Sequence, residues 1–495
     1  MIRPRGKVRG GSRWWVGALI VTGAALTGLN AYKNVFGFGA SFHDFGVIES
    51  AIQNTALGDP VPLRPADREV SHLATHFHLV LWPVAWLNRV IPDPHLYAWL
   101  AAATWFGVML ATGRLVFAVT GDLALAALAG TALFFNVYSR RLFFSGHYEH
   151  VQGLFGILAA LAWSRRRPRA MAGWLLTACT VREDAALFAA CLGAGLASES
   201  RDKSLRVAGV VAALGALGWF GVVWLGIMPA LGSATAGPGR VELMAGGWGG
   251  DGSLAGAVTF LLGHPGRILR AIFSNRVGLL LAGFGFMPLL APRFFLLACL
   301  PPILVQALSA HPAYAQFRYH TSSAFLGALA VGMALGLARL RTAKLVPPRT
   351  RRLAPFAAAV LALAVGGWNR PDPRFQKDCW RFGLTLAGEP NPVDARARAV
   401  HAVLYEWPWG GHSVAAGMRT LQHLPPALNH WWFGEWQSRR AEWVVLDEIY
   451  EGPVMVFLTG SKTFARLSTQ VESAGYRRHE PVPGLLIFER RAGIR

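Results

Sequence analysis

The sequence predicts a polytopic α-helical membrane protein with a small α/β domain at its C-terminal end. Three observations lead there. Of 495 residues, 53% are hydrophobic and only 15% charged, an apolar excess beyond that of ordinary soluble domains. Apolar, nearly uncharged windows of about 18 or more residues recur, each long enough to cross a bilayer as a helix. After residue 368 the composition turns to polar residues, Trp and Pro, with short strand-like runs.

The formal net charge is +21. Its distribution argues against a nucleic-acid partner. The basic residues fall in short clusters between apolar runs: RPRGKVRGGSR at the start, SRRRPR at 164–169 and RLRTAKLVPPRTRRL at 339–353. That is the pattern of cytoplasmic loops under the positive-inside rule. Cys179, Cys191 and Cys299 lie in apolar runs and Cys379 in the tail, so no disulfide framework is expected.

In chain order, the expected helices lie near 14–31, 95–118, 121–138, 150–163, 170–181, 185–198, 206–229, 277–290, 293–309, 319–338 and 353–367. That is about 11 transmembrane helices, several of them short for a bilayer of about 30 Å. The first has a basic front and an apolar core without a convincing A-x-A site, which predicts an uncleaved helix. With a cytoplasmic N-terminus, every basic loop falls inside only if HFHLVLWPVAWLNRVIP (76–92) does not span. Its length, its Pro83 and its flanking His76, His78, Trp82 and Trp86 suit a helix lying at the interface.

Two external loops follow from this topology, near 31–94 and 230–276. In the first, Val47, Ile48, Ala51, Ile52 and Ala56 recur at helical spacing, with Glu49 and Gln53 on the opposite side. The second is Gly-rich and then amphipathic. Loops that long in a compact membrane domain are usually functional. Residues 1–368 form the transmembrane domain and 369–495 the extracytoplasmic α/β domain. In the latter, HSVAAG (412–417), EWVVLDE (442–448), MVFLTG (455–460) and GLLIFERR (484–491) read as strands. Residues 461–475 read as a helix opened by Ser461 and closed by Gly475.

A carboxylate near the bilayer costs about 2.5–3.5 kcal/mol on insertion scales unless it has a partner or a task. Four polar groups share the predicted outer face: Asp44 with Glu49, His147 with Glu149, Arg182 with Glu183 and Asp184, and Arg318 with Tyr319 and His320. A desolvated carboxylate can serve as general base toward an acceptor hydroxyl. Arginine and histidine donors can hold a phosphate leaving group. Simpler roles compete. Asp44 fits an N-cap for a helix beginning near Phe45. Arg182 with Glu183 or Asp184 fits a structural ion pair. Arg318 fits a snorkelling side chain. His147 and His150 suit interfacial residues, and as a metal pair they lack a matching cluster elsewhere.

The ordered segments FHDFGVIESAIQNTALG, HFHLVLWPVAWLNRVIPDPHLY, GHYEH and TVREDAAL resemble the bacterial predicted membrane proteins grouped as domain of unknown function 2079. Those in turn resemble the GT-C superfamily of membrane glycosyltransferases. The likeness runs over about residues 40–200, weakens through 230–310, and returns at FRYHTSSAFLGALAVGMALGL and in the tail strands. The family's Phe-Asp-Leu-Gly motif stands here as His43-Asp44-Phe45-Gly46, and its Trp-Asn-Thr as Gln53-Asn54-Thr55. Its Phe-His-Pro-Glu motif is degraded to His147-Tyr148-Glu149, or, with one gap, uses His150 and Gln152. Its Lys-Glu-Asp motif stands as Arg182-Glu183-Asp184.

The resemblance implies a GT-C-like fold and a polyprenyl-phosphate-linked sugar donor used at the outer face of the bacterial cytoplasmic membrane. The acceptor would be a glycan, lipid or protein. Asp44, just after the first helix, would be the catalytic base. Glu49, His147, Glu149, Glu183 and Asp184 would shape the acceptor pocket or hold an ion. Arg182, Arg318 and His320 would bind the lipid phosphate. A divalent metal is compatible with this class, although the first loop has no Asp-x-Asp pair. Two other classes fit a polytopic chain: a transporter or flippase for a lipid-linked substrate, and a non-catalytic membrane scaffold. A transporter calls for ionisable residues near midplane and repeated or broken helices, whereas here the charges gather at one face and no repeat is evident.

Overall fold

The structure is a computed structural model. It describes residues 18–25, 47–58, 63, 71–74, 76–91, 96–136, 138–139, 149–231, 254–309, 317, 323–344, 347–368, 395–409, 413–416, 420, 424, 430–432, 441–448 and 464–491. Helices dominate up to residue 368. They are α1 (18–25), α2 (Val47–Ala56), α3 (Leu81–Val90), α4 (Leu96–Thr120), α5 (Leu123–Phe135), α6 (His150–Ser164), α7 (Pro168–Ala178), α8 (Ala185–Glu199) and α9 (Lys203–Ala230). They continue as α10 (Leu254–Gly263), α11 (Pro265–Ile272), α12 (Asn275–Ala282), α13 (Pro292–Ala307), α14 (Ser323–Thr342) and α15 (Pro348–Trp368).

Among the described residues, α4, α9 and residues 325–342 of α14 are long and apolar enough to cross a membrane. The helices α5, α6, α8 and α13 are apolar but shorter. Local chemistry sets their ends. The Asp122 carboxylate accepts from the Leu125 N–H at 3.1 Å and caps α5; Asp202 does the same for α9 through Ser204 at 2.9 Å. Proline opens α7 at Pro168, where no N–H is missed. Both long irregularities also trace to proline. The widened π turns at Val223–Ile227 and Phe295–Cys299 precede Pro229 and Pro301–Pro302, which lack an N–H and crowd the preceding turn.

One expected span is corrected. The run 277–290 does not form one helix: α12 stops at Ala282, and a 3-10 turn covers Met287–Leu290. Gly285 sits at φ +62, and a Cβ there would lie 2.3 Å from the Ala358 carbonyl of α15. The chain turns where α15 passes closest, and apolar composition alone does not reveal that.

The core centres on α14, which is buried along most of its length against α4 and α6. Glycine permits a close seam between α8 and α9. A Cβ on Gly193 would lie 2.9 Å from the Gly209 carbonyl, and one on Gly209 2.8 Å from the Gly193 carbonyl. Small residues serve this purpose in membrane helix pairs, where backbone approach replaces hydrophobic drive.

Ion pairs mark one end of the bundle. Arg339 pairs with Glu199, and Arg341 with Asp122 at 2.7 Å. Arg339 also donates to the Leu290 carbonyl at 2.8 Å. These contacts gather the ends of α5, α8 and α14, loops that the sequence assigns to one side.

At the other end α3 packs on α2. With ten residues it is about 15 Å long, half of a bilayer core. Leu81, Ala85 and Asn88 are buried, while Trp82, Trp86 and Val90 are exposed. Arg89 donates to the Ala56 carbonyl at 3.0 Å and the Thr55 carbonyl at 3.2 Å, meeting the negative end of α2.

The C-terminal part holds α16 (Ala395–Glu406), β1 (Val414–Ala416), β2 (His430–Trp432), β3 (Trp443–Asp447), α17 (Phe464–Ser473), β4 (Tyr476–Val482) and β5 (Leu485–Arg490). The sheet order is β2-β1-β3-β5-β4. β1 runs parallel to β2 and β3, and β5 antiparallel to β3 and β4. Alternation along β3 and β5 splits the core. Val445 and Ile487 join Val400 and Leu404 of α16 on one face. Val444 and Phe488 join Leu467 and Val471 of α17 on the other. Val47 of α2 belongs to the first face, so this domain touches the α2–α3 end of the bundle.

Three expected strands and the expected helix appear as β1, β3, β5 and α17. The run 455–460 lies outside the described residues. α16, β2 and β4 are elements that the sequence reading left out. β4 is Arg- and His-rich and buried only at its ends, Tyr476 and Val482, which hides the strand signal.

Replacing Gly209 by Leu should force the α8–α9 seam apart at a cost of about 1–3 kcal/mol. The check is the unfolding temperature of the detergent-solubilised protein. Gly218→Leu, on the same helix but with nothing within 4 Å of its Cβ position, should leave that temperature nearly unchanged.

Candidate functional site

Glu149 precedes the first residue of α6, and Arg182, Glu183 and Asp184 form the turn between α7 and α8. Packing of α6, α7 and α8 brings these segments together. The Arg182 guanidinium is buried among carboxylates. Its Nη1 lies 3.3 Å from Glu149 Oε1, and its Nε 3.0 Å from Asp184 Oδ1 and 3.8 Å from Glu183 Oε1. Glu149, Arg182 and Glu183 are all buried.

Glu183 reaches a third segment. Its Oε2 accepts from the Phe77 N–H at 3.0 Å, and its Oε1 lies 3.1 Å from His76 Nδ1. His72, His76 and His78 crowd that side, with ring centroids 5.1–5.7 Å apart. Burial holds the His78 pKa well below its ordinary value, and the neighbouring His72 and His76 push the same way. Three carboxylates thus face one guanidinium and a set of imidazoles. The arrangement can bind a cation on its carboxylate side and an anion through Arg182.

An apolar floor holds these segments in register. Ile48, Ala51 and Ile52 of α2 pack with Phe77, Val181 and Ala185. The helix that follows Asp44 therefore rests on the residues flanking Arg182–Asp184. Glu49 corrects an expectation here. The helical pattern placed it on a polar side, but it is 4% exposed. The apolar stripe of α2 is shared: Ile48, Ala51 and Ile52 join the floor, and Val47 joins the core of the C-terminal domain.

Of the sequence candidates, the structure brings together Glu149, Arg182, Glu183 and Asp184, with Glu49 buried on the adjoining α2. Asp44, His147, Arg318 and His320 lie outside the described residues, as does Tyr319. His150 is spoken for structurally: its Nε2 lies 2.7 Å from the Ser139 carbonyl oxygen. Sequence reading missed the histidine cluster as a unit. The signal was available, since SHLATHFH carries three histidines within seven positions, but His76 and His78 were read as interfacial residues.

A cavity of about 480 Å³ lies elsewhere, between α1, α4, α5 and α6. Its lining is aliphatic and aromatic apart from Thr131 and Arg114, and it shares no residue with the polar cluster.

The family model for predicted membrane proteins, DUF2079, matches residues 38–374. No curated protein matches the chain. Among solved structures, the chain is similar to ArnT from Cupriavidus metallidurans bound to undecaprenyl phosphate, at 12% identity and a TM-score of 0.48, covering 97% of this chain and 98% of that one. It is also similar to the Archaeoglobus fulgidus oligosaccharyltransferase tethered with an acceptor peptide, at 11% identity and a TM-score of 0.37, covering 97% and 74%. The same oligosaccharyltransferase with Zn and sulfate gives 11% and 0.38, covering 95% and 73%. At these values the similarities assign no activity to this chain.

Substituting Ala for Arg182 should leave buried carboxylates uncompensated and cost about 3–5 kcal/mol. Thermal unfolding in detergent reads this directly. Arg182→Lys should cost less, because it retains the charge while losing the fork of donors.

Proposed function

This chain belongs to the DUF2079 family of predicted membrane proteins, and on that premise we propose that it is a GT-C-like integral membrane glycosyltransferase. Its donor is a polyprenyl-phosphate-linked sugar, and its site opens on the outer face of the bacterial cytoplasmic membrane. The observation that carries the reading is the meeting of Glu149, Arg182, Glu183 and Asp184 at the bundle end where α2 packs. Two helix-end segments and, through His76, the first loop supply polar side chains there, as a membrane-boundary active site requires. The order of the sequence motifs supports the same class.

In this reading Asp44 is the general base. It takes the proton of an acceptor hydroxyl as that oxygen attacks the anomeric carbon. The bond from that carbon to the phosphate oxygen breaks, and the polyprenyl phosphate leaves with the electron pair. Displacement in one step inverts the anomeric centre. Arg182, Arg318 and His320 hold the phosphate and offset its growing charge. The carboxylates around Arg182 keep the guanidinium in one orientation, so it meets the donor without rearrangement. Glu49, His147, Glu149, Glu183 and Asp184 shape the acceptor side. The acceptor is a glycan, lipid or protein, and no nucleic acid takes part.

The topology that goes with this function puts the N-terminus in the cytoplasm and the C-terminal α/β domain outside. Contact of Val47 with that domain's core supports it, since the domain then lies at the same end as the reaction. The lipid tail of the donor stays in the bilayer while its head group reaches the polar cluster.

Membranes carrying wild-type protein should transfer sugar from a polyprenyl-phosphate donor to endogenous acceptor. Asp44→Asn should lower that rate by about 10²–10⁴-fold while the protein stays folded and inserted. Equal transfer by a folded Asn variant removes Asp44 from the mechanism.

A further inference from the structure

We propose that His76, His78 and Glu183 form a binding site for a zinc-class divalent cation. Each contributes one ligand atom, and these atoms all lie within 4.8 Å of one another. Two come closer: His76 Nδ1 and Glu183 Oε1 are 3.1 Å apart. A tetrahedral ion with bonds of about 2.0 Å sets neighbouring ligand atoms about 3.3 Å apart. That edge of the tetrahedron is therefore already at the right length, and small ring rotations bring in His78. Two imidazoles with one carboxylate are the donor set of borderline ions such as Zn²⁺, rather than of Ca²⁺ or Mg²⁺.

The backbone is arranged for this. Residues 76–78 precede α3 without helical structure, so positions i and i+2 can face one way and i+1 the other. The His76 and His78 rings lie side by side, with centroids 5.3 Å apart and planes 23° from parallel. Phe77 turns away into the apolar floor and lies 6.0 Å from Trp219. Its N–H nevertheless donates to Glu183 Oε2 at 3.0 Å. That bond orients the carboxylate and leaves Oε1 toward His76, the kind of outer contact that tunes metal ligands.

The electrostatics favour a cation. Among the described residues, the carboxylates Glu149, Glu183 and Asp184 gather around the guanidinium of Arg182 and outnumber it. His78 and Glu183 are buried, whereas the His76 side chain is 24% exposed and gives an entry path. His72 packs edge-on to His78 at 5.1 Å and stands beside the three ligands. An ion here would pin the segment before α3 to the turn between α7 and α8. This site does not depend on the transferase reading: an enzyme of any class, or a scaffold, could carry it.

The experiment uses the full-length, tag-free protein in detergent, stripped with a chelator and titrated with Zn²⁺ alone or with Co²⁺ followed by visible d–d absorption. No donor or acceptor is present, so its outcome is separate from that of the transfer assay. The wild-type chain should bind a single Zn²⁺ and give the intense Co²⁺ bands of a tetrahedral site. His78→Asn and Glu183→Gln should each weaken binding at least about 10-fold. His264→Ala, which is not among the three ligands, should not. Should the buried-site variants aggregate on size exclusion, His76→Gln, at the partly exposed ligand, decides the matter. No Zn²⁺ uptake by the wild type, or unchanged affinity in the folded ligand variants, overturns the proposal.

Discussion

A guanidinium taken out of water organises this molecule. Arg182 cannot shed its proton to suit a buried site, so carboxylates have to come to it. Asp184 and Glu183 are its chain neighbours, but Glu149 comes from the start of a different helix. The pair therefore fixes α6 against the α7–α8 turn. Glu183 extends the constraint further, because its second oxygen takes the Phe77 N–H and its first faces His76. A single buried cation thus ties the first loop to two helix ends. Such pairs add little net stability against a well-packed apolar substitute, but losing one partner is costly. They specify which segments meet more than how firmly.

The apolar scaffold makes that meeting possible. α14 runs through the core, and Gly153 of α6 approaches its Gly327 closely enough for backbone contact. The seam between Gly193 and Gly209 does the same for α8 and α9. Among the described residues, the ion pairs of the bundle gather at two ends. Arg339 with Glu199 and Arg341 with Asp122 close one, and the Arg182 cluster closes the other. The long apolar span between them matches what a bilayer tolerates. The C-terminal sheet meets the Arg182 end through Val47, so α2 is held between bundle and domain.

The first loop shows where pattern reading stops. Helical spacing marks Val47, Ile48, Ala51 and Ile52 as one apolar stripe, and they are buried. Spacing sets Glu49 on the opposite side, yet it is buried too, which periodicity along one helix does not register. The run 277–290 failed because of a tertiary neighbour. Its composition is that of a membrane helix, but the bend at Gly285 answers to α15 passing alongside, and nothing local to the run records that neighbour. Strands β3 and β5 were legible because their residues are mostly branched or aromatic and packed on both faces, and β1 by its short buried apolar run. β4, half exposed and basic, was not.

For the candidate site the division is similar. Residue types and motif order pointed to Glu149 and to Arg182-Glu183-Asp184, since charges beside apolar helices demand an explanation. Their contacts, and the arrival of His76 and His78 on the far side of Glu183, were beyond such reading. By itself the primary structure determined a helical membrane chain, its basic loops, most helix positions and a strand-bearing tail. Each of those follows from hydrophobicity and charge counted along a line, which the bilayer reads segment by segment. Only the tertiary structure decided which carboxylate meets which cation and which histidines share a carboxylate. Those pairings join residues 33 positions apart for Glu149 with Arg182 and 107 for His76 with Glu183, and close packing of helices, not local propensity, sets them.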